Sequence, residues 1–522
     1  MNLLTAAEMR AVDRATIAAG TPGELLMERA GTGVAGALER GWGSPLALRV
    51  LVLAGGGNNG GDGFVAARVL ASRGAHVTVA ACAPRDRLQG DARTMLERLQ
   101  ATPVRVEFPA DEAALAACVA ARDTWDFVVD ALLGTGAEGE PRGLVAAACA
   151  HANALRSAGA RVMAVDLPTG VSSDDGQVAA IAVHADLTVT FGFPRRGHYL
   201  WPGRAFRGEL EVVDIGLVEP EKAALSPADL ATAHALRGLV PAREPRAHKG
   251  SVGSALVVGG APGLTGAVVL AARAAARSGA GYVRVAVPSS LQDLVASQLV
   301  GPMVLAFGED SHRALTTSAL PALLEEAGRA DAVVLGCGLS RHGNAATLAR
   351  ELVARLERPL VLDADALWAL SPAADVLVPA LRLAPAPRVL TPHLGEMQRL
   401  TGQGATELEA RRIDAARGWA QRWGAVVVLK GAPTVVAAPD GRVSVNPTGS
   451  PALATAGTGD VLAGSIAALL AQRVPPFDAA RLGAFVHGWA GELAEAEIGS
   501  PGVLASDVVE RLPRAFAKLR AS

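Results

Sequence analysis

One pattern opens both halves of the chain: a short run of branched aliphatic residues, a glycine-rich segment, and an apolar run at helical spacing. In the first half it reads 49–54, then Gly55-Gly-Gly-Asn-Asn-Gly-Gly-Asp-Gly63, then 64–70. In the second it reads 255–258, then Gly259-Gly-Ala-Pro-Gly-Leu-Thr-Gly266, then 267–277. Apolar runs of four to six residues followed by glycine are buried strands, and strands buried on both faces belong to parallel sheets covered by helices. Such sheets bind ligands beyond the C-terminal ends of their strands. The pattern predicts an α/β chain whose working residues follow its strands.

A chain of 522 residues exceeds what one hydrophobic core serves. Two domains are expected, 1–220 and 240–522, with 221–239 as a linker or a helix leading into the second. No repeat relates the halves, so the second is a fused fold rather than a duplication. With 50% hydrophobic and 19% charged residues the composition suits packed α/β layers. Lys+Arg 49 against Asp+Glu 51, well mixed, leaves no basic stripe for nucleic acid and no polybasic membrane anchor. Small molecules are the expected partners, with a homo-oligomer as the expected assembly. Cys82, Cys118, Cys149 and Cys337 form no CxxC pair and are read as buried thiols. Without a signal-like N-terminus or a long apolar segment, the expected location is cytoplasmic.

Gly55, Gly57 and Gly60 satisfy GxGxxG, but the strand over 76–82 ends without the acid that would hold a ribose hydroxyl. More informative are Asn58, Asn59 and Asp62, either oxygen donors to a ligand or members of Asx turns. Asp130 stands inside the apolar strand 127–133, where a carboxylate is costly unless paired or bound to a cation. Asp166 ends the strand 161–165 and is followed by Leu-Pro-Thr-Gly170. Asn59, Asp130 and Thr169 could converge as hard oxygen ligands for an alkali cation, leaving Asp166 for proton transfer.

The three segments GlyGlyGlyAsnAsnGlyGlyAspGly, AspAlaLeuLeuGlyThrGly and AspLeuProThrGly, in this order, resemble the NAD(P)H-hydrate epimerase domain of the YjeF N-terminal family. The resemblance implies a Rossmann-like three-layer α/β/α domain that interconverts R and S forms of hydrated NADH or NADPH. It further implies that Asn58, Asn59, Gly60, Gly61 and Asp62, with Gly134, Thr135, Gly136, Ala137, Glu138, Gly139 and Glu140, hold the nicotinamide nucleotide. Asn59, Asp130 and Thr169 would bind potassium, and Asp166 would bind substrate and move the proton. Thr169 stands where serine is also common; either hydroxyl serves a cation.

In the second half the polar motifs again follow strands: Gly336-Cys-Gly-Leu339, Asp363, Thr391-Pro-His-Leu-Gly-Glu396, Lys430-Gly-Ala-Pro-Thr434 and Asn446-Pro-Thr-Gly449. The stretch 455–465, Thr-Ala-Gly-Thr-Gly-Asp-Val-Leu-Ala-Gly-Ser, joins small residues and an acid to an apolar helical run. That is an anion site with a base beside it, or a turn in which Asp460 only caps a helix. No GxxxxGK[ST] occurs, which excludes a P-loop. HisLysGly, GlyLeuThrGlyAla, ThrProHisLeuGlyGlu, LysGlyAlaProThr, AsnProThrGly and AlaGlyThrGlyAsp together resemble the ADP-dependent NAD(P)H-hydrate dehydratases, a branch of the ribokinase-like fold. GlyCysGlyLeu replaces the more familiar GlyProGlyLeu, keeping both glycines. The resemblance implies that Ala267, Gly338, His393 and Asp460 meet the hydrate. Lys430, Gly431, Ala432, Pro433, Thr434 and Gly459 would meet the adenine nucleotide, and Glu396 would organise Mg²⁺.

Both halves point to one reading, a bifunctional isomerase and lyase that epimerises NADHX and NADPHX and dehydrates the S form with ADP as phosphoryl donor. The alternative is a ribokinase-like kinase of a vitamin-type alcohol fused to a noncatalytic nucleotide-binding module.

Overall fold

The computed structural model describes residues 1–137, 139–223, 225, 228–371 and 379–522. The chain divides into two compact units, one over Asn2–Pro227 and the other over Ala228–Ser522 together with Met1.

In the first unit, β1 (Arg49–Ala54), β2 (His76–Ala81), β3 (Arg105–Glu107), β4 (Phe127–Ala131), β5 (Arg161–Val165), β6 (Leu187–Phe191) and β7 (Glu209–Val213) form one sheet in the order β3-β2-β1-β4-β5-β6-β7. Every pairing is parallel. Side chains alternate across a strand, so each face of the sheet has its own core. Val50, Val52 and Ala54 pack with Leu26, Val34, Phe64 and Leu70. Leu51 and Leu53 pack with Leu115, Trp125 and Cys149 on the other side. Helices Gly23–Trp42 and Asn58–Ser72 cover the first face, and Glu112–Val119 and Gly143–Ser157 the second. At the N-terminus Thr5 and Glu8 form a capping box on the helix Ala6–Ala18.

The glycine run departs from its expected loop form. The helix begins at Asn58, not after Gly63. A Cβ on Gly60 would lie 2.0 Å from the Gly55 carbonyl oxygen, one on Gly61 2.5 Å from Met27 Sδ, and one on Gly63 2.5 Å from Ala131 Cβ. These glycines let the helix start press on β1 and β4, and the helix carries Asn58, Asn59 and Asp62 with it. Sequence patterning missed this because glycine is a poor helix former, and packing outweighs propensity here.

The second unit supplies β8 (Ala228–Leu230), β9 (Ser254–Val258), β10 (Tyr282–Pro288), β11 (Met303–Phe307), β12 (Ala332–Leu335), β13 (Leu360–Leu362), β14 (Arg388–Leu390), β15 (Val426–Leu429), β16 (Thr434–Ala437) and β17 (Val443–Asn446). Their order is β8-β17-β16-β15-β14-β13-β12-β9-β10-β11. Only β16 runs antiparallel to its neighbours. The segment 221–239 is more than a spacer. β8 pairs with β17, and Leu236 is buried in the core of this unit. Its Pro and charged residues concealed three strand positions of which Ala228 and Leu230 are buried.

Helix Thr458–Ala471 runs through the middle of this core, buried at every position from Val461 to Ala471. An all-round apolar helix is a central one. It lies against the helix Thr265–Arg277 so closely that a Cβ on Gly464 would sit 2.1 Å from the Ala271 carbonyl oxygen. All four cysteines are free and buried.

The contact at Gly464 gives a test in which two effects oppose. Alanine favours a helix over glycine by about 1 kcal/mol, whereas forcing a methyl into a filled contact costs about 1–3 kcal/mol. Gly464→Ala is expected to lower stability in chemical denaturation, and a raised midpoint would show that the two helices can part freely.

Candidate functional site

In the first sheet the chain leaves β1 and β4 in opposite directions, which opens a crevice between their C-terminal ends. A cavity of ≈ 530 Å³ lies there, lined by Asn58, Asn59 and Asp62 from the helix start, Gly134, Thr135, Gly136 and Ala137 after β4, and Asp166 after β5. Met9 and Asp13 of the helix Ala6–Ala18, together with Arg195, also line it. None of those three was marked by sequence reading, because they belong to no glycine motif. Gly60 and Gly61 are buried in the helix and do not line the cavity. Glu140 accepts the Ala180 N–H at 2.8 Å instead of lining it, and Glu138 lies outside the described residues.

Asp166 is the best-held side chain of the cavity. Its backbone is left-handed, φ 63°, and its carboxylate is buried. Oδ2 accepts from the Thr135 N–H at 3.0 Å and from the Thr135 hydroxyl, while Oδ1 accepts from Thr190 Oγ1 at 3.0 Å and Arg195 Nη2 at 2.9 Å. Burial alone would raise its pKa. The Arg195 guanidinium and the Thr135 donors outweigh that, and the carboxyl sits below the usual range. Arg195 is itself fixed by Thr135 Oγ1 at 2.8 Å and by the Phe193 carbonyl. His198 accepts the Arg195 N–H on Nδ1 at 3.0 Å, so its Nε2 donates to the Asp166 carbonyl at 2.8 Å. Burial pushes that imidazole down to about 3, which keeps it neutral.

Asp130 is wholly buried. It accepts from the Thr169 N–H at 2.8 Å, Thr169 Oγ1 at 2.7 Å and the Leu132 N–H at 3.2 Å. No cationic side chain joins it among the described residues, and burial pushes it up to about 6. Asn59 Nδ2 is buried without a hydrogen-bond partner among the described residues. Asn59 Oδ1 and Asp166 Oδ2 both face Gly134, lying 2.9 and 3.2 Å from where its Cβ would stand.

In the second unit Ala267, Gly338 and Asp460 line one cavity of ≈ 570 Å³ with His312, Arg341 and Asp365. The turn before Leu339 keeps its need for glycine, with φ 116° at Gly336 and 63° at Gly338. Asp460 does not cap its helix. The cap is Gly457, φ 93°, without a side-chain acceptor for the first-turn N–H groups, and Asp460 stands inside the first turn. Burial and the neighbouring Asp363 carboxylate push Asp460 up to about 6, against a hydrogen bond from the Cys337 thiol and the charge of Lys430.

Lys430 Nζ bonds Asp363 Oδ1 at 2.8 Å and stands 3.8 Å from Glu396 Oε2. Thr391 Oγ1 donates to the same Asp363 oxygen at 2.7 Å. A Cβ on Gly459 would lie 3.3 Å from Lys430 Nζ, so the ammonium sits against the helix start. The 430–434 segment is clamped from below by Arg412, buried, whose Nη1 donates to the carbonyls of Leu429, Lys430 and Pro433 at 3.2–3.3 Å. Nothing in the local sequence marks Arg412, since its role arises only where its helix meets the loop.

His393 is half claimed by structure: Nδ1 caps the helix Leu394–Thr401 through the N–H groups of Gly395 and Glu396, at 3.0 and 3.3 Å. The Glu396 carboxylate returns the favour to the His393 N–H at 2.9 Å. His393 does not line the cavity of Asp460, and its Nε2 stands 3.5 Å from Glu396 Oε1. HisLysGly is an exposed turn before β9, at the N-terminal edge of the sheet.

Residues 23–197 match the family described as YjeF-related protein N-terminus, and 255–514 match the one described as NAD(P)H-hydrate dehydratase. The chain is 42% identical over 524 residues to the bifunctional NAD(P)H-hydrate repair enzyme Nnr of Moorella thermoacetica, covering 99% of this chain and 97% of that protein. It is 42% identical over 531 residues to the protein of the same name from Salinibacter ruber, covering 99% and 96%. Among solved structures, the ADP/ATP-dependent NAD(P)H-hydrate dehydratase from Bacillus subtilis co-crystallised with ATP/Mg²⁺ is 30% identical, with a TM-score of 0.48 over 56% of this chain and 99% of that one.

Removing one partner of a buried ion pair leaves an uncompensated charge, at a cost of about 3–5 kcal/mol. Arg195→Met is therefore expected to destabilise the first unit by about that amount in denaturant titration and to raise the Asp166 pKa, read by carboxyl-carbon NMR. An unshifted Asp166 would mean that the Thr135 and Thr190 donors suffice.

Proposed function

The chain belongs to the bifunctional NAD(P)H-hydrate repair enzymes, and we propose that its two cavities divide that work. The first interconverts the R and S hydrates with Asp166 as the proton-transferring group. The second dehydrates the S hydrate with Asp460 as base and ADP as phosphoryl donor. The observation that carries this reading is that each unit has a cavity at the ligand-binding edge of its sheet with a buried aspartate in its wall, Asp166 in the first and Asp460 in the second.

In the second unit Asp460, at about 6, is mostly ionised at neutral pH and takes the proton of the substrate hydroxyl as that oxygen attacks the terminal phosphorus of the nucleotide. The first-turn N–H groups after Gly457 and the Lys430 ammonium face the charge that develops on the phosphoryl oxygens. The phosphate then departs from the ring carbon with the C–O bonding pair and takes a proton from the adjacent carbon, whose C–H pair completes the double bond. The 430–434 segment, held by Arg412, supports the nucleotide. Glu396 would offer its Oε1, which stands 3.5 Å from His393 Nε2. A single carboxylate oxygen suits a magnesium ion that keeps its waters and arrives on phosphates.

In the first unit Asp130, Thr169 and Asn59 would hold potassium. Asp130, a buried carboxylate with no cationic partner among the described residues, fits a cation, as does the oxygen-only donor set. When bound, the ion supplies fixed positive charge beside the substrate. Assembly into a homo-oligomer belongs to the same proposal and is supported by exposed Leu294, Val300 and Met303 beside the edge strand β11.

The decisive experiment supplies mixed R and S hydrate with ADP or ATP, with and without potassium, and follows recovery of reduced-nicotinamide absorbance. ADP is expected to support full recovery; a stable phosphorylated product without reduced cofactor would favour the kinase alternative. Asp166→Ala should abolish use of the R form while S-form dehydration persists. Dehydration should fall about tenfold per pH unit below about 6, because protonated Asp460 cannot act as base. A flat acid limb, or full activity in Asp460→Asn, would remove Asp460 from the mechanism.

A further inference from the structure

Four carboxyl groups share the cavity of the first unit, Asp13, Asp62, Asp91 and Asp166. Their surroundings differ in kind. Asp166 is locked by Thr135, Thr190 and Arg195 and is held as a carboxylate. Burial pushes Asp13 up to about 6, with the Asp166 carboxylate adding to it and the charges of Arg195 and Arg14 opposing it. Asp62 makes no hydrogen bond or ion pair with its carboxyl among the described residues, and the charges that act on it are the carboxylates of Asp166 and Asp13. Two like charges and no cation favour the neutral acid. Asp62 also lies one turn along the helix from Asn59, whose Oδ1, like Asp166 Oδ2, faces Gly134, and all three residues line the same cavity.

We propose that Asp62 is the proton donor of the epimerisation, working against Asp166 across the cavity. The inference rests on the epimerase reading of this unit. Asp62 gives its proton to the hydroxyl on the ring carbon next to the ring nitrogen as that C–O bond breaks. The bonding pair leaves with the oxygen as water, and the nitrogen lone pair forms the carbon–nitrogen double bond. Water then adds to the opposite face of the carbon. A new C–O bond forms, the electron pair returns to nitrogen, and the surplus proton passes to Asp166. Asp62 ends ionised and Asp166 protonated, and the next turnover in the reverse sense, or exchange with solvent, restores them. Separating a pair of carboxyls into one acid and one base is how a site runs both proton transfers at one pH.

The groups that set the pH response are Asp62 on its own helix, Asp13 and Arg10 from the helix Ala6–Ala18, Asp91 from the helix Gly90–Gln100, and Asp166 and Arg195 after β5 and β6. Burial first, then Asp166 and Asp13, hold the Asp62 carboxyl well above the usual range. Epimerisation should therefore fall on the alkaline side as Asp62 loses its proton.

The test compares full-length wild type, Asp62→Asn and Asp13→Asn, timing R-to-S conversion by chromatography in ¹⁸O-labelled water. Asp62→Asn is expected to lose about 10²–10⁴ in kcat with KM little changed and to lack the alkaline limb. In wild type, ¹⁸O should enter the hydrate as fast as it epimerises. Dehydration of the S form by the second unit verifies that the variant chain is folded. Wild-type kcat with an intact alkaline limb in Asp62→Asn overturns the proposal, as does transfer of both effects to Asp13→Asn, or epimerisation without label. Failure of wild type itself to epimerise would instead overturn the epimerase reading.

Discussion

Carboxylates placed at the C-terminal edges of buried parallel strands, where water is scarce, dominate the design of both units. Each must be answered locally, because an unpaired charge there costs several kcal/mol. The answers differ. Asp166 has a guanidinium and three hydroxyl or amide donors. Asp363 shares one oxygen between Thr391 and Lys430. Asp130 has donors but no cation among the described residues. Those differences set which group is held ionised and which is pushed toward its neutral form.

The second constraint is closeness of backbone. In both units a helix is pressed into the sheet or its neighbour through glycines with no room for a Cβ, Gly60 against Gly55 and Gly464 against Ala271. Asp62 follows Gly60 by two residues and Asp460 precedes Gly464 by one turn on these helices, so the packing that builds the fold also brings both acids to the cavities they line.

Much of this was legible in the chain. Short continuous aliphatic runs marked most strands, and acids just after those runs marked Asp166 and Asp363, because a carboxylate beside a buried strand has few places to go. The helix start at Asn58 was hidden because glycine speaks for a loop until a close neighbour explains it. β8 was hidden because its pairing partner, β17, lies more than two hundred residues away. Arg195, Asp13 and Arg412 carried no local signal at all. Each matters through a residue that folding brings to it.

The sequence by itself determined the α/β class, the two-unit plan, the glycine segments and the acids that follow strands, since these depend on local periodicity and on where a charge can be tolerated. Only the tertiary structure decided which acids face one another, that Asp460 stands inside a helix turn rather than capping it, and that His393 spends one ring nitrogen on a cap. Protonation and reach depend on distances between segments far apart in the chain, and those distances exist only once the layers have packed.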